Sequence, residues 1–313
     1  MELGNQTRVS TFILLGFSAE PAQQTLLFWV FLPMYVVTVA GNLLITLAIL
    51  TDTHLHTPMY FFLCNLSLVD ILFSSTTVPK MLVDLHTHSR AIPFVGCLAQ
   101  MYTFHLLGPL DTFLLAVMAI DRFVAIVCPL RYSAIMSPRV CGLLVGVSWM
   151  IPNIQSIIHT SLMARLTFCA RAEIPHFFCD LMPLLKLSCS DTRLNELVVF
   201  AFSIIMGFSP LVITVFSYVC IFRTVFKIPS AQGKWKAFST CGSHLTVVSL
   251  FYGTIFAVYL LPASASSSQK DKGAALMYGV IIPFLNPFIY SLRNRDMKAA
   301  LRKLVGKVAP AQA

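Results

Sequence analysis

Apolar positions along this chain gather into seven long runs, near residues 26–50, 58–80, 97–127, 140–161, 196–226, 237–261 and 273–292. Each is close to the roughly 20 helical residues that cross about 30 Å of hydrocarbon, so each predicts a membrane-spanning helix. Several runs contain proline (Pro33, Pro79, Pro109, Pro152, Pro210, Pro283, Pro287). Membrane helices tolerate it where neighbouring groups re-satisfy the freed carbonyls. An odd number of crossings puts the two termini on opposite sides. The pattern divides the chain into a polar segment 1–25, a bundle 26–292 with a long loop at 162–195, and a basic tail 293–313. The polar start lacks a basic leader, so the first apolar run is expected to act as its own insertion signal.

Composition sharpens this picture. The chain is 57% hydrophobic and only 11% charged, with mean hydropathy +0.78, whereas soluble domains are nearer half apolar and a quarter charged. A soluble fold of this length could not hide so much apolar surface in one core. The formal charge of +9 sorts by side. With the N-terminus outside, the inner side gathers 13 of the 22 basic residues, with only Asp52, Asp121 and Asp296 against them. That asymmetry sets orientation and makes the basic balance a matter of topology, with no nucleic acid implied. The sequon at Asn5 then lies outside, where glycosylation is expected. Cys97, Cys169, Cys179 and Cys189 also map outside, in an oxidising compartment; four cysteines permit three pairings.

The third run works as a ruler. The helical steps from Cys97 to Arg122 cover about 37 Å, so Cys97 marks the outer mouth and Asp121-Arg122 the inner boundary. Phe104, Gly108, Asp111, Leu115, Met118 and Arg122 recur at helical spacing and share a face. Asp111 and Asp70 lie at mid-membrane depth, where carboxylates are costly unless paired, protonated or bound to a cation. The tail places Met297, Leu301, Leu304 and Val308 on one side with bases around them, predicting a short amphipathic helix on the inner leaflet.

At "MAIDRFVAIVCPLRY" the chain resembles the inner end of the third helix in rhodopsin-like G-protein-coupled receptors, and specifically in odorant receptors. The resemblance extends through Gly41-Asn42, "PMYFFLCNLSLVD" (58–70), "SYVCI" (217–221), "KAFSTCGSHL" (236–245) and "NPFIYSLRN" (286–294). Three positions depart from the pattern: Phe123 replaces Tyr after the Arg, Ile120 replaces Tyr before the Asp, and Val127 replaces Cys.

The resemblance implies an all-α, seven-transmembrane helix bundle with an extracellular N-terminus and a short amphipathic cytoplasmic helix. It implies a pocket for small, largely apolar volatiles built from Phe104, His105, Gly108, Phe202, Ser203, Met206, Tyr252, Ile255 and Tyr259. Phe104 stands where amine receptors carry an acid, which disfavours biogenic amines. It implies disulfides Cys97–Cys179 and Cys169–Cys189, the first tying the long loop to the third helix as a lid. Asp121 and Arg122 form an ion pair that loosens on activation, after which Tyr218 and Tyr290 approach Arg122. Asn286-Pro287 with Tyr290 is a hinge, and His244 is either a lock on the third helix or a satisfied core histidine. Asp70 and Asp111 are expected to share a sodium ion, the one allosteric ion of an otherwise cofactor-free protein. The expected partners are an odorant, a heterotrimeric stimulatory G protein of the olfactory type that raises cAMP, and membrane lipid. The expected location is the plasma membrane, in olfactory cilia.

Metal-ligand clusters, phosphate loops and nucleophile elbows are missing from the sequence, which disfavours an enzyme. A secondary transporter using Asp70 and Asp111 to couple an ion is the main rival. It would commonly show internal repeats with paired broken helices, which the seven runs lack.

Overall fold

All seven apolar runs are helical in the computed structural model, which describes residues 9–17, 20–168, 173–260 and 267–308. Helices α1 (Pro21–Thr51), α2 (Pro58–Thr87) and α4 (Pro138–Met163) each begin on a proline, where the missing N–H costs nothing. Helices α3 (Phe94–Val127), α5 (Arg193–Phe226) and α6 (Ala231–Leu260) complete six of the seven. The seventh, α7, runs as Ser267–Leu276, a π-helical turn Met277–Ile281, and Ile282–Arg293. The tail helix α8 (Arg295–Val308) follows. Most of these helices outrun the predicted spans because polar turns at their ends continue the backbone ladder beyond the apolar core. Helix α6 starts in the polar segment that holds Gln232 and Lys234, ahead of its mainly apolar stretch Cys241–Ala257.

Helix α3 is the central rod, packed on α2, α4, α5 and α6, while α1 and α7 close the bundle around α2. Its predicted stripe is inward: Asp111, Leu115, Met118 and Arg122 are buried and Phe104 and Gly108 half-buried. Residues such as Leu26, Trp29, Leu143, Leu197, Phe208 and Phe216 instead form an exposed apolar belt. A belt of that kind is stable only against lipid.

Gly41 and Asn42 show why α1 meets α7 so closely. A Cβ at Gly41 would stand 2.9 Å from Pro287 Cβ, so only glycine lets the proline ring dock there. Pro287 cannot donate to the carbonyl four residues back, Pro283 O. Asn42 Nδ2 supplies that missing donor at 3.1 Å. The two adjacent residues on α1 make room for the proline and satisfy what it leaves open.

One feature at the Cys97 end was not expected. Strand β1 (Thr11–Leu14) lies between β2 (Ala91–Pro93), to which it is antiparallel, and β3 (Glu173–Ile174), to which it is parallel. The N-terminal segment is therefore woven into the lid. Phe12 and Leu14 are buried, with Phe12 edge-on to Phe168 at 5.3 Å. Arg90 and Lys272 donate to Leu15 O and Gly16 O, and Gly16 takes a positive φ of 66° at the turn that follows.

Candidate functional site

The lid is fastened to the rod by the Cys97–Cys179 disulfide. Gln100, one turn further along α3, accepts from Cys179 N at 2.9 Å and donates to Thr76 O at 3.0 Å, so a single side chain joins lid, α3 and α2. Cys189 is also disulfide-bonded; Cys169, its expected partner, lies outside the described residues, as does Asn5. His176, in the lid, is sandwiched at 4.8 Å from Phe177 and 4.5 Å from Phe178. Burial pushes its imidazole pKa down to about 4, because the charged form would be desolvated among the rings.

Beneath the lid the expected pocket residues fall into two groups. Phe104 packs between Phe178 of the lid (4.3 Å) and Phe73 of α2 (5.0 Å), and Gly108 lies next to the tip of the Phe73 ring. His105 and Phe202 meet through His159 of α4, with ring separations of 6.0 and 5.4 Å. Met206 and Tyr252 are buried and Ile255 half-buried against the core; the Tyr252 hydroxyl has no hydrogen-bond partner among the described residues. Ser203 is exposed beside Ile204 and Ile205 and is not drawn into either group. The side chain of Tyr259 lies outside the described residues.

Several contact residues escaped the sequence reading. Phe178 and Asp180 flank the cysteine that is tied to α3, and that adjacency was the available signal. Gln155 and His159 are polar residues one helical turn apart in an apolar span, a pattern that intramembrane polarity alone makes conspicuous.

At mid-depth, Asn286 Nδ2 reaches both oxygens of Asp70, at 2.8 and 3.1 Å. Asp111 Oδ1, Asn42 Oδ1, Asn286 Oδ1 and the Tyr290 hydroxyl are buried without partners among the described residues. Unpartnered oxygens on the helices around two carboxylates suit a hard cation, since oxygen donors are what such ions take.

At the far end of α3, Asp121 and Arg122 are 1% and 8% exposed, which separates them from an ordinary surface pair. Arg122 holds Asp121 Oδ2 through both Nε and a terminal nitrogen, and Tyr132 OH donates to Oδ1 at 2.7 Å. Tyr132 starts the short helix Tyr132–Ile135 that follows α3, so the acid is clamped by its own helix end and by the next loop. His244 of α6 shares a bond with Tyr218 OH of α5 at 2.7 Å and reaches Leu115 O of α3 at 2.9 Å. Its contacts are those of a cross-helix tie, and they are fully satisfied. Tyr218 is thus held by His244 in this structure. Between these groups and α8 lies a cavity of about 600 Å³, lined by Met118, Arg122, Ser243, His244 and Tyr290 among others.

Helix α8 is fixed to this end. Asn294 Oδ1 accepts from the N–H groups of Asp296 and Met297, a side-chain N-cap, and from Tyr60 OH at 3.0 Å. Met297 is buried, and Leu301 and Leu304 pack on the core. Lys303 sits 3.1 Å from Asp52, and this bond holds the Asp52 carboxyl below its usual range.

Comparison with known proteins agrees with this architecture. A sequence profile described as "Olfactory receptor" matches residues 31–307. Human "Olfactory receptor 1I1" is 71% identical over 309 residues, covering 99% of this chain and 87% of that one. Human "Olfactory receptor 1N2" is 59% identical over 300 residues, 96% of this chain and 95% of the other. Among solved structures, squid rhodopsin superposes with a TM-score of 0.73 at 18% identity, covering 95% of this chain and 89% of its own, which establishes the shared fold. A bundle with a lidded aromatic site at one end of a central helix and a buried Asp-Arg pair at the other, matched along nearly its whole length, belongs to the olfactory receptor family and shares the seven-helix fold of squid rhodopsin.

Proposed function

We propose that this receptor binds small, largely apolar odorants beneath the lid and, when occupied, activates a stimulatory G protein of the olfactory type, raising cAMP. The Cys97 end faces the extracellular side and the Arg122 end the cytosol, in the plasma membrane of olfactory cilia. The observation that carries this reading is His244, which ties α6 to α3 and α5 within the wall of the cavity beside Arg122. An odorant that fits better when α6 swings outward favours the bundle in which that tie is broken. Arg122 and Tyr218 are then released toward the incoming G protein, with the Asn286-Pro287 segment and Tyr290 as the moving part of α7.

Asp70 and Asp111, with Asn286 beside them, would hold a sodium ion in the resting bundle. The ion would neutralise buried carboxylate charge there, and its loss would accompany activation. The transporter reading has no observation that favours it over a receptor, given the family to which the chain belongs. A panel of volatiles read through a cAMP reporter tests the proposal. Dose-dependent cAMP for some odorants in wild type and none in Arg122→Ala, at equal surface expression, is the expected result. A fully responsive Arg122→Ala receptor would refute the coupling role.

A further inference from the structure

Three polar side chains from two helices converge on one wall of the lidded site. Gln155 and His159, on α4, are both buried, and His159 bridges by ring contact to His105 on α3 and Phe202 on α5. Packing alone does not explain them, since apolar residues would fill the same volume without any desolvation cost.

Their hydrogen-bond directions can be worked out. Gln155 Nε2 lies 3.5 Å from His159 Nε2, so the amide donates to the ring, and Gln155 Oε1 is left buried with no partner. His105 Nδ1 is 3.0 Å from Met101 O. A carbonyl only accepts, so His105 Nδ1 carries a proton, and in the neutral ring Nε2 presents a lone pair. Asp180 Oδ1, also an acceptor, is 3.8 Å from that lone pair, beyond hydrogen-bond reach. Because His159 Nε2 accepts from the amide, its neutral ring carries the proton on Nδ1. This wall therefore offers two acceptors, Gln155 Oε1 and His105 Nε2, together with the His159 Nδ1–H as a donor, a set that a hydroxyl, itself donor and acceptor, matches. His105 and Asp180 keep 18% and 25% of their side-chain surface accessible, so a small molecule can reach the His105 edge of this wall, behind which Gln155 Oε1 is buried.

Given the odorant-receptor reading, on which this rests, we propose that Gln155, His159 and His105 form a specificity-determining subsite for the hydroxyl group of an alcohol odorant. The ligand O–H donates to Gln155 Oε1 or to His105 Nε2, and its carbon skeleton lies against Phe104, Phe178 and Phe202. His159 is a positioning residue that orients the Gln155 amide. Aldehydes, ketones and ethers offer only acceptors and leave the buried oxygen unpaired. A site built to hydrogen-bond a hydroxyl discriminates strongly against analogues that lack one. An ammonium donor would need a buried counter-charge, and the nearest carboxylate, Asp180, is partly solvated at the rim.

The test uses the full-length receptor in cells with a cAMP reporter and surface labelling. The probes are octanol, cyclohexanol and citronellol, each against its carbonyl analogue, methyl ether and primary amine. Wild type is expected to respond to at least one alcohol at a concentration about tenfold or more below that for its carbonyl and ether analogues. In Gln155→Leu this preference should fall to near parity through loss of alcohol potency, with carbonyl and ether potencies unchanged. Those unchanged responses report that the variant is folded. His159→Phe, which keeps the ring contacts, is the second variant and should also shrink the preference. Equal potency across the classes in wild type, a preference for the amine, or a preference surviving both substitutions would overturn the subsite while leaving the receptor reading intact. Silence toward every probe and toward the broader odorant panel would overturn both.

Discussion

Among single residues, His244 carries the sharpest consequence. Replacing it with Ala removes the bonds to Tyr218 OH and Leu115 O, each worth about 0.5–1.5 kcal/mol net. A change of about 1.4 kcal/mol is tenfold in a two-state equilibrium, so His244→Ala should raise ligand-independent cAMP by about an order of magnitude. An unchanged basal level would show that the tie does not restrain α6. Tyr252 is the opposite case. Its hydroxyl is buried with nothing to bond, so Tyr252→Phe should leave thermal stability equal or slightly higher. Odorants able to hydrogen-bond there would lose potency in dose–response curves and purely apolar ones would not. The identity of such residues was legible in the sequence because motifs name them. Their bonding states were not, since whether Tyr218 faces His244 or Arg122 depends on how α5 and α6 pack.

Taken element by element, the long helices were readable because about 20 consecutive apolar residues have one low-cost arrangement in a bilayer. The three-stranded sheet was invisible for the opposite reason. "TFIL", "AIP" and "EI" are too short to show alternation, and their pairing joins segments far apart in the chain. The π-turn in α7 likewise leaves no period to detect. At Gly41 a larger side chain must collide with Pro287, so Gly41→Val should cost about 1–3 kcal/mol and lower the melting temperature of purified receptor. In the lid, His176 is held neutral, with a pKa near 4 against about 6.5 when free in water. Between those values the undocked lid binds more protons than the docked one, so docking is fully stable above pH 6.5 and weakens as pH falls toward 4. Hydrogen exchange over residues 173–180 should accelerate across that window in wild type and much less in His176→Phe; identical profiles would remove His176 as the cause.

For the molecule as a whole, the unpartnered oxygens around Asp70 and Asp111 sit midway between the lidded end and the Arg122 end. A cation held there, as proposed, would add stability by mass action. Replacing sodium chloride with choline chloride at equal ionic strength should therefore lower the melting temperature of wild type and leave Asp70→Asn unaffected. Equal shifts in both would point to general salt effects. The depth of the two acids was evident from the sequence alone, because position along a helix of fixed rise is depth. Their oxygen neighbours were not, because Asn286 meets Asp70, and Asn42 meets α7, only through the packing of separate helices.

The placement of β1 between β2 and β3 sets an order on biosynthesis. Ile13 must wait for Glu173, more than half the chain later, before its parallel pairing can form. Strand β1 thus cannot complete its place in the outer cap until the four helices α1 to α4 have been made. A bulky fusion at the amino terminus would hang from a structural strand, and would slow maturation of the receptor even where it leaves the odorant site untouched.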